Sequence, residues 1–424
     1  MMLDRPIRRV EALVFRYPVK TPVKTSFGIM NDRPAVFIRV EDTDGVVGWG
    51  ETWCNFPTVG AEHRARLVNE VLAPLVTGRA FASPPEAFEE ATRRMAVLAL
   101  QSGEAGPLAQ AIAGLDIALW DLAARRAGKP LWAVLGGGTA RIAVYASGIN
   151  PDRPEMTVGS MRDRGHRAFK LRVGFGDELD SRNLCVVREA FGDDILLAAD
   201  ANQAWDLERA TALSHRFESY GLHWLEEPLR ADRPWSEWKT LSRSTILPLA
   251  AGENVAGIEA FAEALAQGGL KVVQPDAAKW GGVSGCHALA RMIADAGCTY
   301  CPHYLGGGVG LLASAHLLAA AGGNGLLELD VNDNPLRDEV CGSLREIRDG
   351  HATLADAPGL GAEPDLRRLR RFQVRAQSIS ANLSGWRKLL DRFRFRRAKE
   401  RYEPSNYYMR GPGPKTRSTP VRTR

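Results

Sequence analysis

The chain has 424 residues, 45% of them hydrophobic and 25% charged, a mixture that excludes a disordered or fibrous polymer and allows a barrel-sized core plus a smaller domain. Its formal charge of +5 is uneven: residues 376–424 hold 13 Lys/Arg against 3 Asp/Glu, so the body carries about −5, which argues against a nucleic-acid-binding face on the folded part. No uninterrupted apolar run reaches membrane-spanning length and the first residues do not read as a signal peptide, so a cytoplasmic location with no membrane partner is expected.

Residues 7–52 contain β-branched, alternating segments (VEALVF, AVFIRVEDTDG, GVVGWGET) that predict a small antiparallel sheet. Between them TPVKTSFGIMNDR, residues 21–33, has no apolar period and is rich in turn formers, so a surface loop is expected, of a kind that often closes over sites. From about Glu62 to Gly128 the apolar residues recur at helical spacing, and Gly128 and Pro130 stop the last helix. Residues 1–137 therefore read as an α+β unit. After the glycines at 136–138, short apolar strands alternate with amphipathic helices: AVYASGI, AFKLRVG, ILLAADA, HWLEEP, LPLAAGE, KVVQPD, TYCPHY and LLELD. Eight such units over residues 138–345 predict an α/β barrel with parallel strands. The basic end, 376–424, has no place in that barrel and is expected to be an ill-ordered extension, with a role at a membrane surface or nucleic acid as the alternative. The six cysteines are scattered and read as reduced core thiols; Cys298 and Cys301 form a CxxC with no second pair to complete a zinc site. GGGVG at 306–310 lacks the Lys-Ser/Thr ending of a phosphate-binding loop and reads as a turn.

The ends of the predicted strands carry the chemistry. Lys170 is followed by Asp200, Glu226, Glu253, Asp276, His303 and Glu328 at intervals of 30, 26, 27, 23, 27 and 25 residues. Each interval is about one βα unit, so successive strands deliver these side chains to one mouth, where such folds carry their sites. Asp200, Glu226 and Glu253 would repel one another unless a hard divalent cation lay between them, and all-oxygen ligation suits Mg2+ better than zinc. Asp276 and His303, on neighbouring strands, form a carboxylate–imidazole pair suited to a general base. Lys170 and Arg172 share a face of one strand. Lys170 is a candidate to neutralise a substrate carboxylate; Arg172 stays protonated and is a poor base. Glu328, kept protonated, is a candidate donor to an enolate oxygen.

Together these residues resemble the mandelate racemase subgroup of the enolase superfamily. The likeness covers about residues 5–370 and runs through KLR, DANQAW, WLEEP, AAGEN, QPDAAKWGG, PHYLGGG and LLELD. It implies a (β/α)7β barrel with an N-terminal capping domain to which the last segment, 346–375, returns. It also implies Asp200, Glu226 and Glu253 as ligands of one Mg2+, Asp276 and His303 as the catalytic dyad, and Glu328 on the enolate oxygen. Loops around Lys24–Asn31 and Trp53–Phe56 would select the substrate, which makes Lys24, Phe27, Trp53 and, from DANQAW, Asn202 the candidate substrate-binding residues. The racemase has a second lysine where Arg172 stands. A one-base reaction is therefore expected: removal of the α-proton of an acid sugar by His303, then loss of the 3-hydroxyl to give a 2-keto-3-deoxy acid. Racemisation or epimerisation of a 2-hydroxy acid is the alternative. Muconate-type cycloisomerisation is disfavoured, because that subgroup has a lysine where Asp276 stands, and a non-catalytic binding protein using its basic tail is the remote reading. The family also suggests a homo-oligomer.

Overall fold

The computed structural model describes residues 3–24 and 28–374, and of Thr21 and Lys24 the backbone alone. Phe27 and the basic tail lie outside the described residues. Three strands, β1 (Ile7–Lys24), β2 (Ile29–Asp42) and β3 (Val47–Thr52), form an antiparallel sheet in chain order. The expected loop at 21–33 is instead mostly strand. Val23 pairs with Met30 and Lys24 with Ile29, extending the β1–β2 hairpin, and Val23 and Met30 are buried. Cross-strand pairing and burial of these two side chains outweigh a local sequence that favours turns.

Of two long helices that follow, α1 (Pro84–Ser102) packs on α2 (Ala105–Arg126), and α2 packs on this sheet. The first is fixed at its start by reciprocal capping, Ser83 accepting from the Glu86 amide (3.3 Å) and the Glu86 carboxylate from the Ala82 amide (2.5 Å). The second is long and apolar enough to cross a membrane by composition, yet it is a core helix, with 89% of its apolar window buried. It lies backbone to backbone on β3, where a Cβ at Gly50 would overlap the Gly114 carbonyl oxygen. Glycine in β3 is what permits that approach. Asp116 and Asp121 tie the same helix to its surroundings, Asp116 accepting from the Ser284 hydroxyl (2.6 Å) and amide (2.9 Å), Asp121 from the amides of Trp49 (2.8 Å) and Leu360 (2.7 Å).

Eight parallel strands follow: β4 (Arg141–Ile149), β5 (Ala168–Arg172), β6 (Leu196–Asp200), β7 (Leu225–Glu226), β8 (Leu249–Ala251), β9 (Val272–Val273), β10 (Thr299–Tyr300) and β11 (Leu326–Asp330). Their order, β10-β9-β8-β7-β6-β5-β4-β11, makes a nearly closed barrel. The two end strands meet where the Leu326 amide donates to Cys301 Sγ (3.3 Å). A helix follows each of the first seven strands; α3 (Gly282–Asp295) and α4 (Gly308–Ala321) follow β9 and β10. The segment after 345 first adds β12 (His351–Thr353) antiparallel to β4, an addition the sequence pattern did not suggest, and then reaches the N-terminal sheet, where the Val374 amide donates to the Val14 carbonyl (2.9 Å).

The barrel interior is layered. Its floor is an apolar cluster, Tyr145, Ala168, Ala198, Trp224, Ala250, Val272, Cys301 and Leu326, one residue from each strand or its flank. Two residues further along each strand, where the pleat returns to the same face, stand Ser147, Lys170, Asp200, Glu226, Gly252, Gln274, His303 and Glu328. This layer is almost wholly polar, and it sits on a dry floor.

The N-terminal sheet is joined to the barrel by a buried ion pair: Arg33 Nη2 of β2 lies 2.6 Å from Asp330 Oδ2 of β11, with side-chain exposures of 1% and 3%. Removing one partner of such a pair strands the other charge away from water. Arg33→Met is expected to lower stability by about 3 kcal/mol, read as a shift of the urea denaturation midpoint. A shift corresponding to less than about 0.5 kcal/mol would mean that Arg337, 3.5 Å from the same carboxylate, is a sufficient partner.

Candidate active site

The mouth of the barrel opens into a cavity of ≈ 400 Å³ roofed by the N-terminal unit. Barrel residues Ser147, Arg172, Asp200, Asn202, Glu253, His303 and Glu328 line it, and Trp53, Asn55, Phe56 and Gln110 close it from above. Trp53 and Asn202 thus border the cavity. Lys24 is placed only as the last residue of β1.

His303 Nδ1 lies 2.8 Å from Asp276 Oδ2, and its Nε2 lies 2.5 Å from Glu253 Oε2. Burial opposes a charge on the imidazole, but Glu253, Glu328 and Asp276 outweigh it and hold the ring protonated, well above its ordinary range. Glu253 is correspondingly held well below the carboxylate range: burial opposes, and His303 and Lys279 prevail. Lys279 Nζ is 3.5 Å from Glu253 Oε1, 3.0 Å from Asn254 Oδ1 and 4.9 Å from the centroid of the Trp53 ring.

Lys170 does not border the cavity. Its ammonium sits in the layer beneath, 2.5 Å from Glu226 Oε1, 3.0 Å from Glu328 Oε1 and 3.7 Å from Asp200 Oδ2. Burial works against that charge, and Glu226 and Glu328 more than offset it, raising the lysine well above its usual range. Arg172, two residues further along β5, is the strand's cation at the cavity wall, with Nη1 3.5 Å from Asn150 Oδ1. Glu328 stands beside Lys170 and lines the cavity. It accepts from the Ser147 hydroxyl (2.5 Å) and the Tyr304 amide (3.1 Å). Burial favours its acid form, and Lys170 and His303 pull it below the ordinary carboxyl range.

Asp200 accepts from the Asn202 amide and Nδ2, both at 2.8 Å. Glu226 takes the Trp224 indole N–H (3.1 Å) and Gln274 Nε2 (2.6 Å) on its second oxygen. Burial and the Glu253 charge raise Asp200; burial, opposed by Lys170, pushes Glu226 up to about 7, with Asp200 and Glu328 adding to it. Glu227, which the sequence analysis passed over, is a further buried carboxyl at positive φ (39°), receiving Asn254 Nδ2 and raised by burial and by Glu253 and Asp200. The donor chemistry of Asp200, Glu226 and Glu253 suits a hard divalent cation: three oxygen ligands whose mutual repulsion a positive charge would relieve. As they stand, these side chains are engaged by Asn202, Lys170 and His303, and among the described residues no three His, Cys, Asp or Glu side chains are gathered as a ready-made metal cage. Ser147, Gln274, Asn254 and Lys279 were also missed. The signal was available for three of them, since Asn254 ends AAGEN and Gln274 and Lys279 lie in QPDAAKWGG.

Lys170 is the counter-charge to two of these carboxylates. Lys170→Met is expected to destabilise the fold by about 3 kcal/mol at pH 8 and by clearly less at pH 5. A carboxyl raised in the folded state contributes stability below its ordinary pKa and loses it as pH rises toward the folded value, about 7 for Glu226. Without the lysine the ionised forms cost more, so the loss grows with pH. Denaturation midpoints at the two pH values check it; equal losses would assign the effect to packing alone.

Residues 9–136 match the family described as mandelate racemase / muconate lactonizing enzyme, N-terminal domain, and residues 156–368 match the enolase C-terminal domain-like family. Among curated proteins, the chain is 29% identical over 384 residues to the D-galactarolactone cycloisomerase of Agrobacterium fabrum, covering 87% of this chain and 99% of that one. It is 29% identical over 335 residues to the arabinonate dehydratase of Saccharolobus solfataricus, covering 77% and 87%. Among solved structures, it resembles a mandelate racemase/muconate lactonizing enzyme from Bordetella bronchiseptica RB50 at 59% identity and TM-score 0.83, covering 87% of this chain and 99% of the other. A racemase from Streptomyces coelicolor A3(2) with bound magnesium is similar at 28% identity and TM-score 0.79, covering 87% and 100%.

Proposed function

We propose that this chain, which belongs to the mandelate racemase / muconate lactonizing enzyme family of the enolase superfamily, is a Mg2+-dependent dehydratase of an acid sugar. The observation that carries the reading is the His303–Asp276 pair (2.8 Å), whose imidazole opens onto the same cavity as Asp200, Glu253 and Arg172. Relatives named as acid-sugar dehydratases support the reaction class, and the magnesium-bound relative supports the metal.

Asp200, Glu226 and Glu253 would hold the ion, which when bound supplies a Lewis acid that lowers the cost of negative charge on the substrate carboxylate. The remaining work falls to this chain's own residues. Asp276 fixes the imidazole through Nδ1 and leaves Nε2 toward the cavity, the atom that takes the α-proton. For that transfer the imidazole must be neutral, so the Glu253–His303 contact has to be given up in the reacting state. Arg172 faces the charge that develops as the α-carbon becomes part of an enediolate, and Lys170 with Glu328 keeps the layer below balanced. The protonated His303 then assists departure of the 3-hydroxyl, and the resulting enol ketonises to a 2-keto-3-deoxy acid. Trp53, Asn202, Lys24 and Phe27 are proposed to contact the sugar. Arg172 remains protonated and Lys170 lies below the cavity, so neither supplies the second base that racemisation requires.

Purified protein with Mg2+ and a panel of aldonic and aldaric acids is expected to form 2-keto acids, detected as semicarbazones. EDTA is expected to abolish the activity, and His303→Asn to lower kcat by about 10³-fold or more. Exchange of solvent deuterium into the α-position without keto-acid formation would instead favour racemisation. A full rate in His303→Asn would remove the base assignment.

A further inference from the structure

Glu51 lies at the end of the N-terminal sheet's last strand, is 2% exposed, and takes no part in the chemistry above. We propose that Glu51 is a positioning residue for the His303 base: the roofing unit holds the turn that leaves the base strand, and the base is in place only when that unit is docked. The proposal rests on the reading of His303 as base.

Three donors from the barrel converge on this one carboxylate. The Gly307 amide donates to Oε1 (2.6 Å), the Gly310 amide to Oε2 (2.9 Å), and the Tyr304 hydroxyl to the same group. Gly307 precedes α4, whose first turn has no side-chain cap of its own. Its free amides are therefore satisfied by a residue some 250 positions earlier in sequence (|i−j| of 256 and 259). Tyr304 follows His303 directly, and its amide is held by Glu328 (3.1 Å). A second residue of the roofing unit, Asn55, donates to the Leu305 carbonyl (2.7 Å). The backbone from 304 to 310 is thus gripped from above at several points, while Asp276 orients the ring of His303 from within the barrel.

The shape of the turn fits this contact closely. A Cβ at Gly307 would lie 2.7 Å from Glu51 Oε1, and one at Gly306 or Gly310 would overlap Tyr304. The run of glycines is what lets a carboxylate and a tyrosine ring reach the backbone. Only a carboxylate meets all three donors, because an amide has one acceptor oxygen and would turn its own N–H groups toward a backbone N–H. Burying this group costs free energy, and burial pushes its carboxyl up to about 7. A residue kept only for packing carries no reason for that cost.

The test uses Glu51→Gln and Gly307→Ala in the full chain with Mg2+. The second variant keeps the carboxylate and disturbs the same contact from the turn's side. With an acid sugar that the wild type turns over, kcat is expected to fall about 10- to 100-fold with KM changed less than about threefold. The acid limb of the kcat–pH profile is expected to move, and the His303 ring nitrogens to shift in spectra of 15N-histidine-labelled protein. The NMR readout needs no substrate, so it decides the matter even if no acid in the panel turns over. Folded Glu51→Gln or Gly307→Ala protein with wild-type kcat, pH profile and His303 resonances, whatever its Tm, overturns the proposal. If Glu51→Gln does not fold, Gly307→Ala decides. Failure of the base reading is separate: it is the case in which His303→Asn remains active.

Discussion

The constraint on which this structure turns is an excess of negative charge at the barrel mouth. Asp200, Glu226, Glu227, Glu253, Asp276 and Glu328 gather there against Lys170, Arg172, Lys279 and the imidazole of His303. Six carboxyl groups cannot all stay ionised against so few cations in a dry setting, and each unpaired one costs several kcal/mol. The structure answers by raising Asp200, Glu226 and Glu227 and by protonating His303 onto Glu253. A divalent cation would answer the same imbalance differently, relieving the carboxylates and letting the imidazole become neutral. The charge that makes the site costly to fold is thus the same charge that the proposed metal and base would use.

That cost is contained by the architecture around it. The floor of Ala, Val, Leu, Cys and aromatic side chains keeps water from entering beneath Lys170, so its contacts with Glu226 and Glu328 act at low dielectric. From above, Arg33 meets Asp330, which Arg337 and Asn332 of the barrel also contact, and Glu51 meets the glycine turn. Separating the units would leave Arg33 and Glu51 without these buried partners. The docking of the N-terminal unit is therefore specified by polar contacts at fixed points, which a purely apolar interface of the same area would not provide.

Much of this was legible in the sequence because strand geometry is periodic. The βα spacing places Lys170, Asp200, Glu226, His303 and Glu328 in one layer, each two residues beyond a floor residue. Glu253 and Asp276 break the period, by one residue and by two. At β8 the layer position is Gly252, with φ of 148° and no room for a Cβ against the Gln274 backbone. The irregular chain there turns Glu253 inward. Asp276 belongs to the layer above, from which it reaches His303 Nδ1. What the sequence did not reveal depends on partners distant along the chain: the pairing of Val23 and Lys24 with Met30 and Ile29, the strand β12, and the contact of Glu51 with the turn after His303 each follow from a neighbour that no local pattern announces.

The contrast between Lys170 and Arg172 shows how depth along a strand decides chemistry. Both lie on β5 and both face inward, yet two residues separate a layer from the next, so one is enclosed by Glu226, Glu328 and Asp200 while the other reaches the cavity. A lysine at the upper position would have a base's pKa within reach through burial and neighbouring cations. An arginine there does not, because its guanidinium stays charged even though burial lowers its affinity for the proton. The upper position thus presents a fixed positive charge to the cavity and the lower one neutralises the protein's own carboxylates. His303 is the single imidazole among the described residues that line this cavity, so the cation on β5 and the imidazole meet the same space with different chemistry, one a fixed charge and the other a group that can exchange a proton.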